Sequence, residues 1–227
     1  SSNFKVSTKP INIKDLVSLM RVIKKDLKFL VLEKMVDRGV LIANIEFELN
    51  QNGKLKNNYI IKGLIKDGGI KLLNKKEIKN IDFNFEVNNK FSNIRNLKLS
   101  YDKIKFVSEK ISITHFKDYF SIKGQIKNNF LSLSQKDIKN LMNLRNDLIL
   151  DNLEFSSNNF FSFKIDKKIK FKNLKFKSSL NIKNLSIIHD YKLKEYLPNL
   201  KKEINLKDHT LIFDFKENNL LVDGKGK

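Results

Sequence analysis

Tyr59-Ile60-Ile61-Lys62-Gly63-Leu64-Ile65 reads as a strand with one apolar face. The same apolar, any, apolar, any, Gly order returns at Phe120-Ser121-Ile122-Lys123-Gly124-Gln125-Ile126 and at Leu220-Leu221-Val222-Asp223-Gly224-Lys225-Gly226. Shorter runs alternate in the same way: Asn80-Ile81-Asp82-Phe83-Asn84-Phe85, Asn96-Leu97-Lys98-Leu99, Asn152-Leu153-Glu154-Phe155 and Asn173-Leu174-Lys175-Phe176. A chain that spends most of its length this way builds one long apolar surface. What covers that surface becomes the functional question.

Outward from these stretches, strand follows strand over about 41–133. Ala43, Ile45, Phe47 and Leu49 alternate up to Gln51-Asn52-Gly53-Lys54, a hairpin-turn sequence ahead of the Tyr59 strand. Asp67-Gly68-Gly69 reads as closing that strand and starting another at Ile70. Further strands are expected at Ile81/Phe83/Phe85/Val87, Leu97/Leu99/Tyr101, Ile104/Phe106, Ile111/Ile113 and Phe120/Ile122. Sequential neighbours with short links pair antiparallel, so the expected arrangement is a meander. A second meander is expected over about 149–227, through Leu153/Phe155, Phe161/Phe163/Ile165, Ile169/Phe171, Leu174/Phe176, Leu180/Ile182 and Leu211/Phe213/Phe215.

Three stretches break the alternation. Apolar residues at three- and four-residue spacing from Ile13 to Met35 predict an amphipathic helix over about 12–38, with Asn12 or Thr8 as cap and Gly39 as stop; a break near Lys24-Lys25 is the alternative. Ser134 with Asp137 gives a capping-box-like start to a helix over about 135–147. Tyr191, Leu193, Tyr196, Leu197, Pro198 and Leu200 predict a helical insertion over about 190–204. No low-complexity linker intervenes, so residues 1–227 are expected to form a single continuous unit. The fold class expected is mainly β (α+β): an elongated, twisted antiparallel meander with a few short to medium helices.

At 227 residues and 41% hydrophobic content the chain can bury a sizeable core. No run approaches the roughly 18 apolar residues of a membrane span. The start at Ser1-Ser2-Asn3 and the end inside the third glycine strand are what a segment of a longer protein would show. The absence of cysteine rules out a disulfide framework and thiolate zinc sites. A net charge of +20 invites a nucleic-acid reading. Yet only Arg21, Arg38, Arg95 and Arg145 are arginine against 41 lysines, whereas base-edge recognition favours the forked guanidinium. With 29 asparagines and a single alanine, Ala43, the lysines look like filler drawn from AT-rich codons, and they spread along the strands. No nucleic-acid partner is expected; an anionic membrane surface stays open as one.

Chemistry-bearing patterns are sparse. His115, His189 and His209 lie far apart without acidic residues at ligand spacing, so no metal or other cofactor is expected. No nucleophile elbow, phosphate-binding loop or dinucleotide fingerprint occurs. Asp82, Glu86, Asp102 and Glu154 fall at outward strand positions and read as solvated. No catalytic residue is expected.

Gly53-Lys54-Leu55-Lys56 leading into Tyr59-Ile60-Ile61-Lys62-Gly63-Leu64-Ile65, Asn80-Ile81-Asp82-Phe83-Asn84-Phe85-Glu86-Val87, Asn96-Leu97-Lys98-Leu99 and the Leu-x-Gly strands together resemble AsmA-like envelope proteins, especially their YhdP-like and TamB-like members. The resemblance covers nearly the whole chain through its patterning. It implies a periplasmic stretch of a bridge anchored in the inner membrane, its anchor outside this segment. Such a bridge is a repeating β-groove that carries phospholipid acyl chains toward the outer membrane, with envelope components of both membranes as partners and no enzymatic activity. Physics favours a groove too, because an acyl chain of roughly sixteen carbons exposes methylenes costing about 0.8 kcal/mol each, on the order of 10 kcal/mol in all. The expected lipid-facing residues are Ile45, Phe47, Tyr59, Ile61, Phe83, Phe85, Leu97, Leu99, Ile122, Phe163, Phe171 and Phe176. Gly63, Gly124 and Gly224 are expected to bend the sheet around its contents. Two alternatives stay open: the apolar face as closed core beneath the helices or in a sandwich, and a basic nucleic-acid-binding or scaffolding β-protein.

Overall fold

A computed structural model describes residues 2–24, 27–54, 56–72, 76–141, 148–168, 170–189, 199 and 201–226. The chain is mainly β, 72% strand and 13% helix. Ser2–Ser7 (β1) and Ile11–Asn12 (β2) lead into two helices, Ile13–Lys24 (α1) and Leu27–Met35 (α2). Val36–Leu49 (β3), Ile60–Lys71 (β4), Glu77–Asn88 (β5), Phe91–Tyr101 (β6), Ile104–His115 (β7) and Tyr119–Leu133 (β8) follow. After Gln135–Leu141 (α3) come Leu148–Asp166 (β9), Phe171–His189 (β10), Glu203–Lys216 (β11) and Asn219–Lys225 (β12). All twelve strands belong to one open antiparallel sheet, ordered β1-β3-β4-β5-β6-β7-β8-β9-β10-β11-β12 with β2 beside β3. Beyond β1, each strand on this path lies next to its neighbour in sequence, the expected meander.

The chain divides into two compact units, Ser1–Ile126 with Phe161–Leu174 (unit 1) and Lys127–Phe160 with Lys175–Lys227 (unit 2). The division falls inside β8, β9 and β10, not at a linker, which is why composition gives no sign of it.

The helical expectations need correction at their ends. Asn12 does cap α1, its Oδ1 accepting from the Lys14 N–H at 2.9 Å, while the Thr8 hydroxyl accepts from the Ala43 N–H. The single helix over 12–38 is two helices, tied together by Glu33 of α2, which receives the Ser18 hydroxyl at 2.6 Å and the Arg21 guanidinium at 2.6 Å. Gly39 does not stop them. Strand begins at Val36, and Gly39 (φ +142°) lies inside β3 where Ile13 Cδ1 and the Gly68 Cα would crowd any Cβ. The Ser134–Asp137 capping box is formed, with the Ser134 hydroxyl 2.7 Å from Asp137 Oδ2 and the Asp137 N–H reaching back to it. α3 is described to Leu141, and 142–147 lie outside the described residues. Of the insertion expected over 190–204, only 199 and 201–204 are described, and Glu203 and Ile204 already belong to β11.

Several short strands read from the sequence are halves of longer ones. Asn80, Asn96, Asn152 and Asn173, which seemed to open runs, sit inside β5, β6, β9 and β10 with φ between +52° and +54°; Asp67 in β4 and Asp208 in β11 do the same at +51° and +50°. Where register is resolved these are bulges. Ile65 faces Phe83 and Gly68 faces Ile81, so Lys66 and Asp67 oppose Asp82 alone, whose Oδ1 accepts the Asp67 N–H at 2.8 Å. Lys79 and Asn80 oppose Gly69, and Asn96 and Leu97 oppose Phe83. Each extra residue shifts the alternation by one, so Ile78 and Ile81, three apart, pack in the same cluster, as do Ile94 and Leu97. Asparagine and aspartate suit the position because they tolerate the left-handed region best among residues bearing a side chain.

The turns at the opposite strand ends share another device. Asn50 Oδ1 accepts the N–H groups of Asn52 and Lys54, Asn88 Oδ1 those of Lys90 and Phe91, and Asp166 Oδ1 those of Lys168 and Lys170. The Lys170 N–H, helped by Lys172 and the Lys168 N–H, holds the Asp166 carboxyl below its ordinary 3.8.

Two outcomes follow from these local geometries. Because Asn96 is exposed and left-handed, Asn96→Gly is expected to change urea-unfolding stability by less than about 0.5 kcal/mol, and Asn96→Val to cost about 1–2 kcal/mol. Because the Asp166 carboxyl is depressed when folded, the unfolded chain binds the proton more readily. Its support of the β9–β10 turn is therefore complete above about pH 3.8 and fades as the pH falls below that value. Amide protection at Lys168 and Lys170 should drop in that acid window in the wild type, and Asp166→Asn should remove the pH dependence.

Candidate functional site

Residues directly opposite in an antiparallel pair share a face, so the register of unit 1 sorts its side chains. Phe4 stands against Phe47 and Val6 against Ile45; Ile45 stands against Ile61, Ile61 against Val87, Gly63 against Phe85, Ile65 against Phe83, and Phe85 against Ile94. Past the bulges the same face continues through the buried cluster Ile81, Leu97 and Ile111, ringed by Ile70, Ile78, Phe83, Ile94, Leu99, Ile122, Ile126 and Phe161. Phe161 leads on to Phe163, ring centroids 6.0 Å apart, and Phe163 to Phe171 at 5.4 Å.

Ten of the twelve expected lipid-facing residues thus lie on one face of unit 1: Ile45, Phe47, Ile61, Phe83, Phe85, Leu97, Leu99, Ile122, Phe163 and Phe171. Tyr59 lies outside β4, half-buried, because pairing begins only at Ile60. Phe176 belongs to unit 2, opposite Phe215. Phe4, Val6, Ile65, Val87, Ile94, Ile126 and Phe161 join the face although the sequence reading did not name them for it. Their alternation with polar neighbours carried the same signal.

The face is apolar but largely uncovered. Buried apolar side chains described in unit 1 are Ala43, Ile81, Leu97 and Ile111; the others on the face are half-buried or, like Phe4 and Phe171, exposed. Every strand among the described residues belongs to the same sheet. Among the described residues the helices of unit 1 pack chiefly on β2, β3 and β4. The opposite face carries Lys62 between Asn44 and Glu86, Asn84 beside Arg95, and Lys98 beside Asp82. Cross-strand ion pairs such as Lys5–Glu46 at 2.8 Å lie there too, with an apolar island at Ile42 and Leu64.

Unit 2 is different. Its apolar pairs Phe176–Phe215, Leu180–Leu211 and Phe213–Val222 are interrupted by Ser178, which donates to Asn159 Oδ1 at 2.7 Å. Asn159 donates to the Ser157 hydroxyl at 2.8 Å, and Ser157 to Asn128. Asn128 and Ser178 are 4% and 7% exposed, so a buried polar ladder crosses three strands. Such a ladder ill suits an acyl chain. The apolar face, as a candidate site, belongs to unit 1.

Register runs unbroken through Gly63 and Gly224, and none of Gly63, Gly124 and Gly224 has positive φ; the resolved shifts sit at other positions, Asp37 and Gly39 in β3 and the bulges at Asp67, Asn80 and Asn96. What requires glycine is close approach. A Cβ on Gly63 would collide with the Ile42 carbonyl oxygen and meet the Phe85 ring at 2.7 Å, and one on Gly124 would meet Ile111 and Phe161 at 2.9 Å. Each of these two glycines leaves room for the tip of an aromatic ring from the neighbouring strand, Phe85 beside Gly63 and Phe161 beside Gly124.

His115 is held by the Ser92 hydroxyl at 2.9 Å and the edge of Phe120, and His209 by the Lys207 carbonyl at 2.7 Å. No group of three or more metal-ligating side chains occurs among the described residues, and no helix described there is long and apolar enough to cross a membrane. No protein-family profile, curated protein or solved structure matches the chain.

The glycine geometry separates two substitutions. Gly63→Val is expected to destabilise the fold by about 1–3 kcal/mol through forced displacement of Phe85 and the β3 backbone, whereas Gly224→Ala, meeting only the flexible tip of Leu211 at 3.2 Å, should fall within about 0.5 kcal/mol of wild type. Urea denaturation of both variants checks this.

Proposed function

We propose that the chain is a non-enzymatic segment of a bridge-like lipid-transfer protein of the AsmA-like kind, shielding phospholipid acyl chains along the apolar face of unit 1. The same reading places it in the periplasm, as part of a protein anchored in the inner membrane, with phospholipid moving between inner and outer membranes. The observation that carries the reading is the one-sidedness of unit 1. A face running from Phe4 and Phe47 through Phe85, Leu97 and Ile122 to Phe163 is half-exposed along a single antiparallel sheet. Apolar surface of that extent on a water-soluble protein marks a binding surface. An acyl chain laid along it recovers transfer free energy on the order of 10 kcal/mol that water would otherwise cost. The patterned resemblance to AsmA-like proteins supplies the lipid class and the compartment.

Photo-crosslinkers at Ile45, Phe83, Leu99 and Phe163 are expected to capture phospholipid, and crosslinkers at Lys62, Asn84 and Lys98 on the other face are not. Equal labelling of both sets would sink the reading. Phe85→Glu tests whether the face is open, because a carboxylate on an uncovered face stays hydrated while one in a closed core does not. The variant should keep its strand circular dichroism and lose lipid capture; loss of the fold would mean that the face is closed core.

A further inference from the structure

Lysines that look scattered in the sequence are gathered by the meander. In an antiparallel meander the β5–β6, β7–β8 and β9–β10 turns fall at the same end of the sheet, and all three belong to unit 1. Direct contacts join them. The His115 N–H donates to the Lys90 carbonyl at 2.8 Å, and Lys164 Nζ lies 4.7 Å above the Tyr119 ring. The segments 88–91, 115–120 and 163–172 bring seven lysines to this rim, Lys90, Lys117, Lys164, Lys167, Lys168, Lys170 and Lys172, against two aspartates, Asp118 and Asp166. Asp166 is already engaged by Lys172 at 3.2 Å and by the turn amides.

Aromatic rings stand among these charges. Phe116 closes a tight turn through its N–H to the Tyr119 carbonyl and stacks on the Tyr119 ring at 4.6 Å, leaving Phe116 48% exposed. Phe120 and Phe171 are 40% and 64% exposed. Exposed phenylalanines at hairpin tips cost free energy in water, and phenylalanine has no polar atom that solvent could satisfy. Rings that enter the headgroup layer beside lysines that stay at its surface match the chemistry of a membrane interface. The rim holds none of the four arginines, which argues against base-edge recognition of nucleic acid.

We propose that this rim docks on an anionic phospholipid bilayer, with Phe116, Phe120 and Phe171 inserted among the headgroups and the lysines at the lipid phosphates. The docking surface meets the apolar sheet face at Phe171, whose ring also contacts Phe163, and stands whether or not that face holds acyl chains.

Flotation of the purified chain with phosphatidylcholine vesicles containing phosphatidylglycerol, compared with phosphatidylcholine alone, tests it. Wild type should bind the anionic vesicles and not the neutral ones. Lys167→Glu/Lys168→Glu/Lys170→Glu should weaken binding by at least on the order of a hundredfold, since each lysine near such a surface contributes several-fold. Lys66→Glu/Lys98→Glu/Lys105→Glu, which changes charge equally at exposed sites away from these turns, should weaken it far less. Phe116→Trp should show a blue-shifted emission on anionic vesicles, and Phe116→Ser/Phe171→Ser should bind less with charge unchanged. Equal losses from the two lysine triples, or no emission shift, would overturn the proposal by reducing the attraction to diffuse charge. Preference of the same rim for a single-stranded oligonucleotide over the vesicles would overturn it in favour of nucleic acid.

Discussion

One constraint governs this sheet: long strands must hold their apolar side chains on a single face although the apolar spacing slips from two residues to three within them. A regular strand cannot do so, because a slip of one residue turns every later side chain over. The two-against-one bulge absorbs the slip, and in β4, β5 and β6 its left-handed residue is Asp67, Asn80 or Asn96 at φ near +50°. Bulges on neighbouring strands must also match, or the hydrogen-bond ladder is lost. Lys66-Asp67 against Asp82, Lys79-Asn80 against Gly69, and Asn96-Leu97 against Phe83 meet that demand in unit 1. The cluster of Ile81, Leu97 and Ile111 lies immediately beside them and depends on them.

Much of this was legible from the residues, for a physical reason. Alternation over four or more residues fixes facing locally, so Ile45, Ile61, Phe83 and Phe85 could be assigned to one face without knowing their partners. A slip in alternation, however, has the composition of a turn. Asp67-Gly68-Gly69 and the four asparagines were read as strand boundaries because asparagine, aspartate and glycine serve both purposes. The cap at Asn12 and the box at Ser134 were visible because they act over three residues. The end of α2 was not, since Met35-Val36 carries no stop signal and Gly39 is demanded by Ile13 and Gly68, which are distant in sequence. Likewise Asn128, Ser157, Asn159 and Ser178 look like the polar filler found everywhere in this chain. Only pairing across β8, β9 and β10 makes them a ladder.

The two units show how one pattern supports different interiors. Unit 1 leaves a wide face half-exposed and keeps its polar atoms mostly on the other side, apart from the buried hydroxyl of Ser108 opposite Leu97. Unit 2 buries Leu133, Ile138, Ile182 and Leu185 and runs hydrogen bonds through its apolar face. A fully bonded polar ladder fixes register where an apolar stripe alone would allow slippage. The first arrangement suits contact with something external, and the second suits self-consistency.

The near-sequential strand order has a kinetic consequence. Where sequential strands meet at tight turns, as at β5–β6, β6–β7, β7–β8 and β11–β12, each hairpin closes a short loop and the entropic cost of pairing is small. The cohesive energy then approximates a sum over adjacent pairs, as in a one-dimensional array, more than a single cooperative core. Such a sheet can nucleate at whichever hairpin forms first and zip outward. It can also open from its ends, β12 and β1, while its middle stays paired, so global melting is preceded by stepwise loss of protection inward from both edges.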